Sequence, residues 1–240
     1  MLGEIGTLAW TRRTNGLLSR SERIRYIAAA VREQAVQGPR LVAWRLGHGG
    51  GTGDIDEEAM RIPDSRLARA AVEACAEVQN PMLMEHNYRS FFFARALGAL
   101  ERVAHDPELL FVATMLHDQG VLEPADRCFT LRGADEAEEI AGAVAAEAIT
   151  LHLNAAVSVE QGAEAHLLHD AVLLDAVGLH AWKLKREAIE RVRARHPRLK
   201  FTQESGPILG AQARAIPRCR TAAAMRSGFG LALRLSPWQD

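Results

Sequence analysis

Four ionisable residues stand on helix faces that read as otherwise apolar. His86 lies in MEHNYRSFFFARALG, His117 and Asp118 end PELLFVATMLHDQG, and Asp175 lies in LLDAVGL. An imidazole or carboxylate is costly to bury without a partner. One divalent cation held by two imidazoles and two carboxylates would satisfy all four groups at once. His86 and His117 are separated by 31 residues, and Asp118 and Asp175 by 57. Such spacings are too long for a local metal loop. They suit a helical bundle whose facing helices each point a ligand inward. The chemistry this offers is Lewis-acid polarisation and the activation of water at neutral pH.

The elements that must position these residues read as helices. Pro107 and Gly120 punctuate one buried helix, with Leu109, Val112, Ala113 and Leu116 as its apolar stripe. The helix before it runs from about Met84 to Ala104, with His86 and Phe93 seven apart on one face. Asn80-Pro81 ends an earlier helix, Arg66–Gln79, capped by Asp64 or Ser65. Residues 121–133 read as a loop with a turn at Asp126-Arg127. Helix resumes at Ala134 and runs to about His152 with a break near Gly142. Ala163–Val177 carries Asp175, and Lys183–Arg195 is a charged amphipathic helix.

The first 20 residues look irregular. A helix over Ser21–Gln37 follows, with Ile24, Ile27, Ala28, Val31 and Ala35 inward and Gly38-Pro39 as its stop. The Gly-rich stretch 47–53 lacks the lysine of a phosphate loop and reads as a flexible connector. Beyond about residue 200 the chain is rich in Ala, Arg, Gly and Pro. Pro207 and Pro217 limit any helix there. The expected organisation is therefore an N-terminal extension over 1–60, a helical domain over 61–200, and a C-terminal appendage over 201–240 that covers the core or mediates self-association.

A chain of 240 residues with 48% hydrophobic content can bury one substantial core. A net charge of −1 gives no sign of a nucleic-acid or membrane-surface partner, and no apolar run approaches a membrane span. Cys75, Cys128 and Cys219 are odd in number and widely spaced. They read as reduced thiols in a cytoplasmic protein.

The order H…HD…D in an all-α chain resembles the HD-domain superfamily of metal-dependent phosphohydrolases and hydratases. IPDSRLARAAVE, MEHNYRSFFFARALG, DPELLFVATMLHDQG, FTLRGADEAEE, AITLH and LLDAVGL resemble successive blocks of its cyanamide hydratase-like branch. The similarity spans about residues 60–200, with a weaker match in LAWTRRTNGLLSRSERIRYIAA. The resemblance implies an HD-domain helical bundle and His86, His117, Asp118 and Asp175 as ligands of one divalent ion. Zinc is the first choice, and iron, manganese or nickel also suit these donors. It also implies His152, in AITLH, as a catalytic residue beside Asp118, on the substrate side of the ion.

Arg89, one turn after His86, could bind a substrate anion, fix Asp118 or serve the structure alone, and the last two roles are favoured over the first. Phe93 is expected to line the pocket, although the run Phe91–Phe93 and Phe129 more simply form core. His166 and His169 would be needed for a binuclear site. The reaction implied is addition of water to a small C–N compound such as cyanamide. The alternatives are phosphate-ester hydrolysis of a nucleotide and a non-catalytic signalling module. Nucleotidase relatives commonly carry a glutamate where this chain has Val121, with Glu123 the nearest acid, and only Arg89, Arg95 and Arg132 lie near the motifs. Both points favour the small neutral substrate.

Overall fold

The computed structural model describes residues 4–124, 127–238 and 240, so Asp126 of the expected turn lies outside the described residues. Among the described residues the chain is all-α: twelve α-helices, with two isolated β-bridges in place of any sheet. No helix among the described residues is long and apolar enough to cross a membrane.

The central layer is built from α3 (Arg66–Val78), α4 (Pro81–Glu101), α5 (Pro107–Leu116), α6 (Phe129–Ala141), α7 (Ala143–Leu151) and α8 (Ala163–Val177). Local chemistry sets their ends. Asn80 does not close α3 but caps α4, its side chain accepting from the Leu83 amide at 3.0 Å, with Pro81 in the first turn. Asp106 does the same for α5, ahead of Pro107. The loop expected up to residue 133 ends earlier, because α6 already begins at Phe129. Gly133 then lies inside α6, where a Cβ would come within 2.3 Å of the Leu116 carbonyl. Only glycine lets α6 pass this close to the end of α5, from which His117 and Asp118 project. Gly142, at φ +86°, separates α6 from α7.

Two prolines expected to stop helices do not. Pro39 sits inside α2 (Arg20–Arg45) and Pro207 inside α10 (Phe201–Ala215). Each removes one backbone donor, which strands the carbonyl four residues earlier. Those carbonyls belong to Ala35 and Gln203, both on the exposed side, where water can replace the lost bond. The inward face of α2 also differs from expectation. Tyr26 and Trp44 are buried, whereas Ile24 and Val31 are exposed. The Gly-rich stretch is not a free connector either: Gly53 pairs with the backbone of Lys183 and Lys185, at 3.0 and 2.8 Å.

The tail is more regular than its composition implies. α10, α11 (Arg220–Arg226) and α12 (Phe229–Arg234) pack on the central layer. Arg220 is fully buried and donates to the Thr150 carbonyl, to Asn154 Oδ1 at 3.1 Å and to Thr130 Oγ1 at 3.2 Å. Trp238 donates to the Leu174 carbonyl at 2.9 Å. The N-terminal segment joins the same seam, through α1 (Leu8–Thr14), whose Trp10 ring lies beneath the Arg220 guanidinium.

Two outcomes follow. Arg220→Met keeps the volume but strands three buried acceptors, so it should lower unfolding free energy by about 2–4 kcal/mol in chemical denaturation. His180, beyond α8, is buried, and burial together with Lys183 pushes it down to about 4 against the pull of Asp170. An unfolded histidine titrates near 6.5, roughly. Between those values the unfolded chain binds a proton that the folded chain refuses, so stability must fall as pH drops through that window. His180→Asn, which tolerates the left-handed φ of 68° at this position, should show a shallower fall in Tm from pH 7 to pH 5 than the parent chain.

Candidate metal centre

His86, His117 and Asp118 converge although they come from α4 and the end of α5. Their ligand atoms lie within 4.8 Å of one another. The Asp118 carboxylate is 3.5 Å from His117 Nε2 and 3.9 Å from His86 Nε2. Donors sharing one tetrahedral ion at zinc–nitrogen distances stand about 3.4 Å apart, so these separations suit a common cation. Both imidazoles are almost fully buried, and His117 Nε2 has no hydrogen-bond partner among the described residues. A buried lone pair left bare next to a carboxylate is the donor arrangement that a metal ion would fit.

The ring orientations are held from behind. His117 Nδ1 donates to the Thr114 carbonyl at 2.7 Å, since a carbonyl only accepts. His86 Nδ1 donates to Asp175 Oδ2 at 2.6 Å. In both rings the proton is therefore on Nδ1, and Nε2 offers its lone pair to the site. Burial, opposed by Asp118 and reinforced by His86, pushes His117 below the usual histidine range, which keeps that lone pair free near neutrality.

Asp175 stands one layer further back than expected. Its oxygens accept from Arg89 Nε at 2.7 Å, Arg89 Nη2 at 2.9 Å, Arg198 Nη1 at 3.2 Å and His86 Nδ1. Burial would raise its pKa, but Arg89, Arg198 and His86 outweigh burial and hold it well below the carboxylate range. With both oxygens committed, Asp175 orients His86 and does not join the ligand cluster, which corrects its assignment as a metal ligand. Arg89 is corrected with it. It is fully buried, bound to Asp175 and to the His196 and Pro197 carbonyls at 3.2 and 2.7 Å, and touches neither Asp118 nor the cavity.

Phe93 is fully buried in the main core and does not line the site, so its pocket role also falls. The cavity beside the cluster is small, about 60 Å³. Its walls include His86, Asp118, His152, Phe129 and Val121, and the tail supplies Phe201, Ser205, Ile208, Leu209, Phe229 and Leu233. Phe201 stacks on the His86 ring at 4.4 Å. The tail thus roofs the site. Its period was too irregular for the sequence to reveal this, and Arg198, in HPRLKF, carried no signal beyond a basic residue after a proline.

His152 lines the same cavity, its ring perpendicular to that of His117 with centroids 5.1 Å apart. Its Nδ1 donates to the Ile149 carbonyl at 2.6 Å, which leaves Nε2 as the basic atom. Burial, His117 and Arg220 push it well below 6.5. His169 donates through Nδ1 to the His152 carbonyl at 2.9 Å and so supports this turn rather than a second ion. A second carboxylate–histidine group, Glu101, His166 and Asp170, is also present. It already holds a cation: Lys183 Nζ is 2.6 Å from Glu101 and 3.3 Å from Asp170.

No protein-family model matches this chain, and no curated protein matches it either.

The two aspartates should separate in mutagenesis. Asp118→Ala should abolish metal binding by elemental analysis while the metal-free fold melts near the parent temperature, because its carboxylate is partly exposed. Asp175→Ala strands two buried guanidiniums and should cost about 3–5 kcal/mol of stability even without metal. If Asp175→Ala folds as well as the parent and lacks only metal, Asp175 is a ligand after all.

Proposed function

We propose that this chain is a metal-dependent HD-domain enzyme that adds water to a small C–N compound of the cyanamide type. The observation that carries the reading is a three-donor cluster beside a small, mostly apolar cavity of about 60 Å³, with a further histidine, His152, on its wall. His86, His117 and Asp118 would hold one divalent ion, zinc by preference for two nitrogens and an oxygen. Such an ion, when bound, lowers the pKa of a water from about 15.7 towards 7 and polarises the substrate.

The remaining steps belong to the protein. His152 Nε2 accepts the proton of the attacking water and returns it to the nitrile nitrogen, while oxygen bonds to carbon. That addition gives isourea, which becomes urea when its remaining O–H proton moves to the imino nitrogen, so water and cyanamide together make urea with nothing left over. The depressed basicity of His152 keeps it neutral, as a base must be, at physiological pH. The apolar walls Val121, Phe129, Phe201 and Leu209 lower the local polarity and so strengthen these polar interactions.

A nucleotide fits this reading less well. Phosphate recognition calls for convergent Lys or Arg. None lines the cavity among the described residues, and Arg89 and Arg198 are spent on Asp175. A space of this size holds only a few water-sized groups.

The purified protein should carry close to one divalent ion per chain and turn over cyanamide. His152→Ala should keep its metal and melting temperature but lose rate by about 10²–10⁴-fold. Turnover of nucleotides without cyanamide would overturn the substrate class, and loss of metal in His152→Ala would make that residue a ligand.

A further inference from the structure

The roof of the cavity carries one polar group that nothing above employs. α10 lays Phe201 on His86, and Ser205 follows one turn later on the same face. Ser205 is 4% exposed and lines the cavity. Its Oγ has no hydrogen-bond partner among the described residues. A helical serine that does not face water can bond back to the carbonyl four residues earlier. Here that carbonyl belongs to Phe201, and the bond is not made.

The rest of the lining sharpens the contrast. Besides Ser205, the polar side chains facing the cavity are His86, Asp118 and His152. Two of these belong to the ligand cluster, and the third is the base. All the other lining residues are apolar, and the roof residues nearest Ser205 in sequence, Ile208 and Leu209, offer no polar side chain. A hydroxyl buried without a partner costs about 1–3 kcal/mol, and among the described residues Ser205 is the one such hydroxyl that faces the cavity.

We propose that Ser205 is the substrate-recognising group of this site. Its Oγ would bond the polar end of a small neutral molecule whose other end lies at His86, His117 and Asp118. The ligand class is a linear compound of few heavy atoms with a hydrogen-bonding group remote from its reacting carbon, such as an amino nitrile. This rests on the reading of the site given above, and it adds the specificity determinant. Selectivity would then come from the tail helices, while the ion-binding residues come from α4 and the turn after α5.

The test uses the full chain loaded with Co²⁺ and two nitriles of nearly equal size. Cyanamide carries an amino group where acetonitrile carries a methyl. Titrations followed by the visible cobalt spectrum should show the parent binding cyanamide about tenfold more tightly than acetonitrile, the size of effect expected for one neutral hydrogen bond. Ser205→Ala should erase that preference while metal content stays at the parent value. Its melting temperature should stay the same or rise, because an uncompensated hydroxyl has been removed. A preference retained in Ser205→Ala, a lowered melting temperature in that variant, or the absence of binding by either nitrile would overturn the proposal. A preference that depends on Ser205 in a parent chain that does not hydrate cyanamide would support the recognition role and sink the hydration reading instead.

Discussion

A carboxylate buried between two guanidiniums sets the geometry of this molecule. Asp175 projects from α8 and is held by Arg89 of α4 and by Arg198 of the link between α9 (Arg186–Arg195) and α10. Alone, the charge would be protonated or expelled. With two cations and a histidine around it, the charge becomes the point at which three parts of the chain must meet. Arg198 also donates to the backbone carbonyl of Asp175 at 2.8 Å and to Thr202 Oγ1 at 3.1 Å, so the start of α10 is tied to the same node. Both guanidiniums lie over the Phe201 ring, 5.8 and 5.0 Å from its centroid.

This arrangement explains why the roof and the His86, His117 and Asp118 cluster come as a unit. The Asp175 carboxylate fixes the tautomer and direction of His86, while Arg198 sets where Phe201 stacks on that same ring. His117 and His152 are aimed by backbone carbonyls one turn earlier in their own helices. Each of the three rings presents Nε2 because each Nδ1 has a dedicated acceptor. Folding therefore sets the direction of all three rings in advance, as a site that binds without rearrangement requires.

The Glu101, His166 and Asp170 group shows why residue types alone do not make an ion site. It has the same mixture of donors, but Lys183 places an ammonium among the carboxylates, and both His166 nitrogens are engaged. In the His86 cluster the compensating arginines stand behind Asp175 and leave Asp118 and His117 Nε2 without an internal cation. The distinction lies in where the positive side chains end up in space.

Much of the framework was legible in the sequence because it depends on local rules. The all-α class followed from 3.6-residue periodicity. α8 occupies the span its pattern indicated, and α5 begins at the proline that announced it. The convergence of His86 with His117 and Asp118 followed from burial cost, which acts on each residue separately. Contacts between distant segments were not legible. A buried carboxylate facing His86 is needed whether it binds an ion or orients an imidazole, and only the positions of Arg89 and Arg198 around Asp175 decide between the two. Phe93 and Phe129 are alike as residue types, yet helix packing puts the first in the core and the second at the cavity. Pro39 and Pro207 read as stops because the sequence cannot say which carbonyls face water. The roof was hidden for the same reason: Arg, Gly and Pro obscure a helical period that tertiary packing enforces, through Arg220 and Trp238, once the central layer exists.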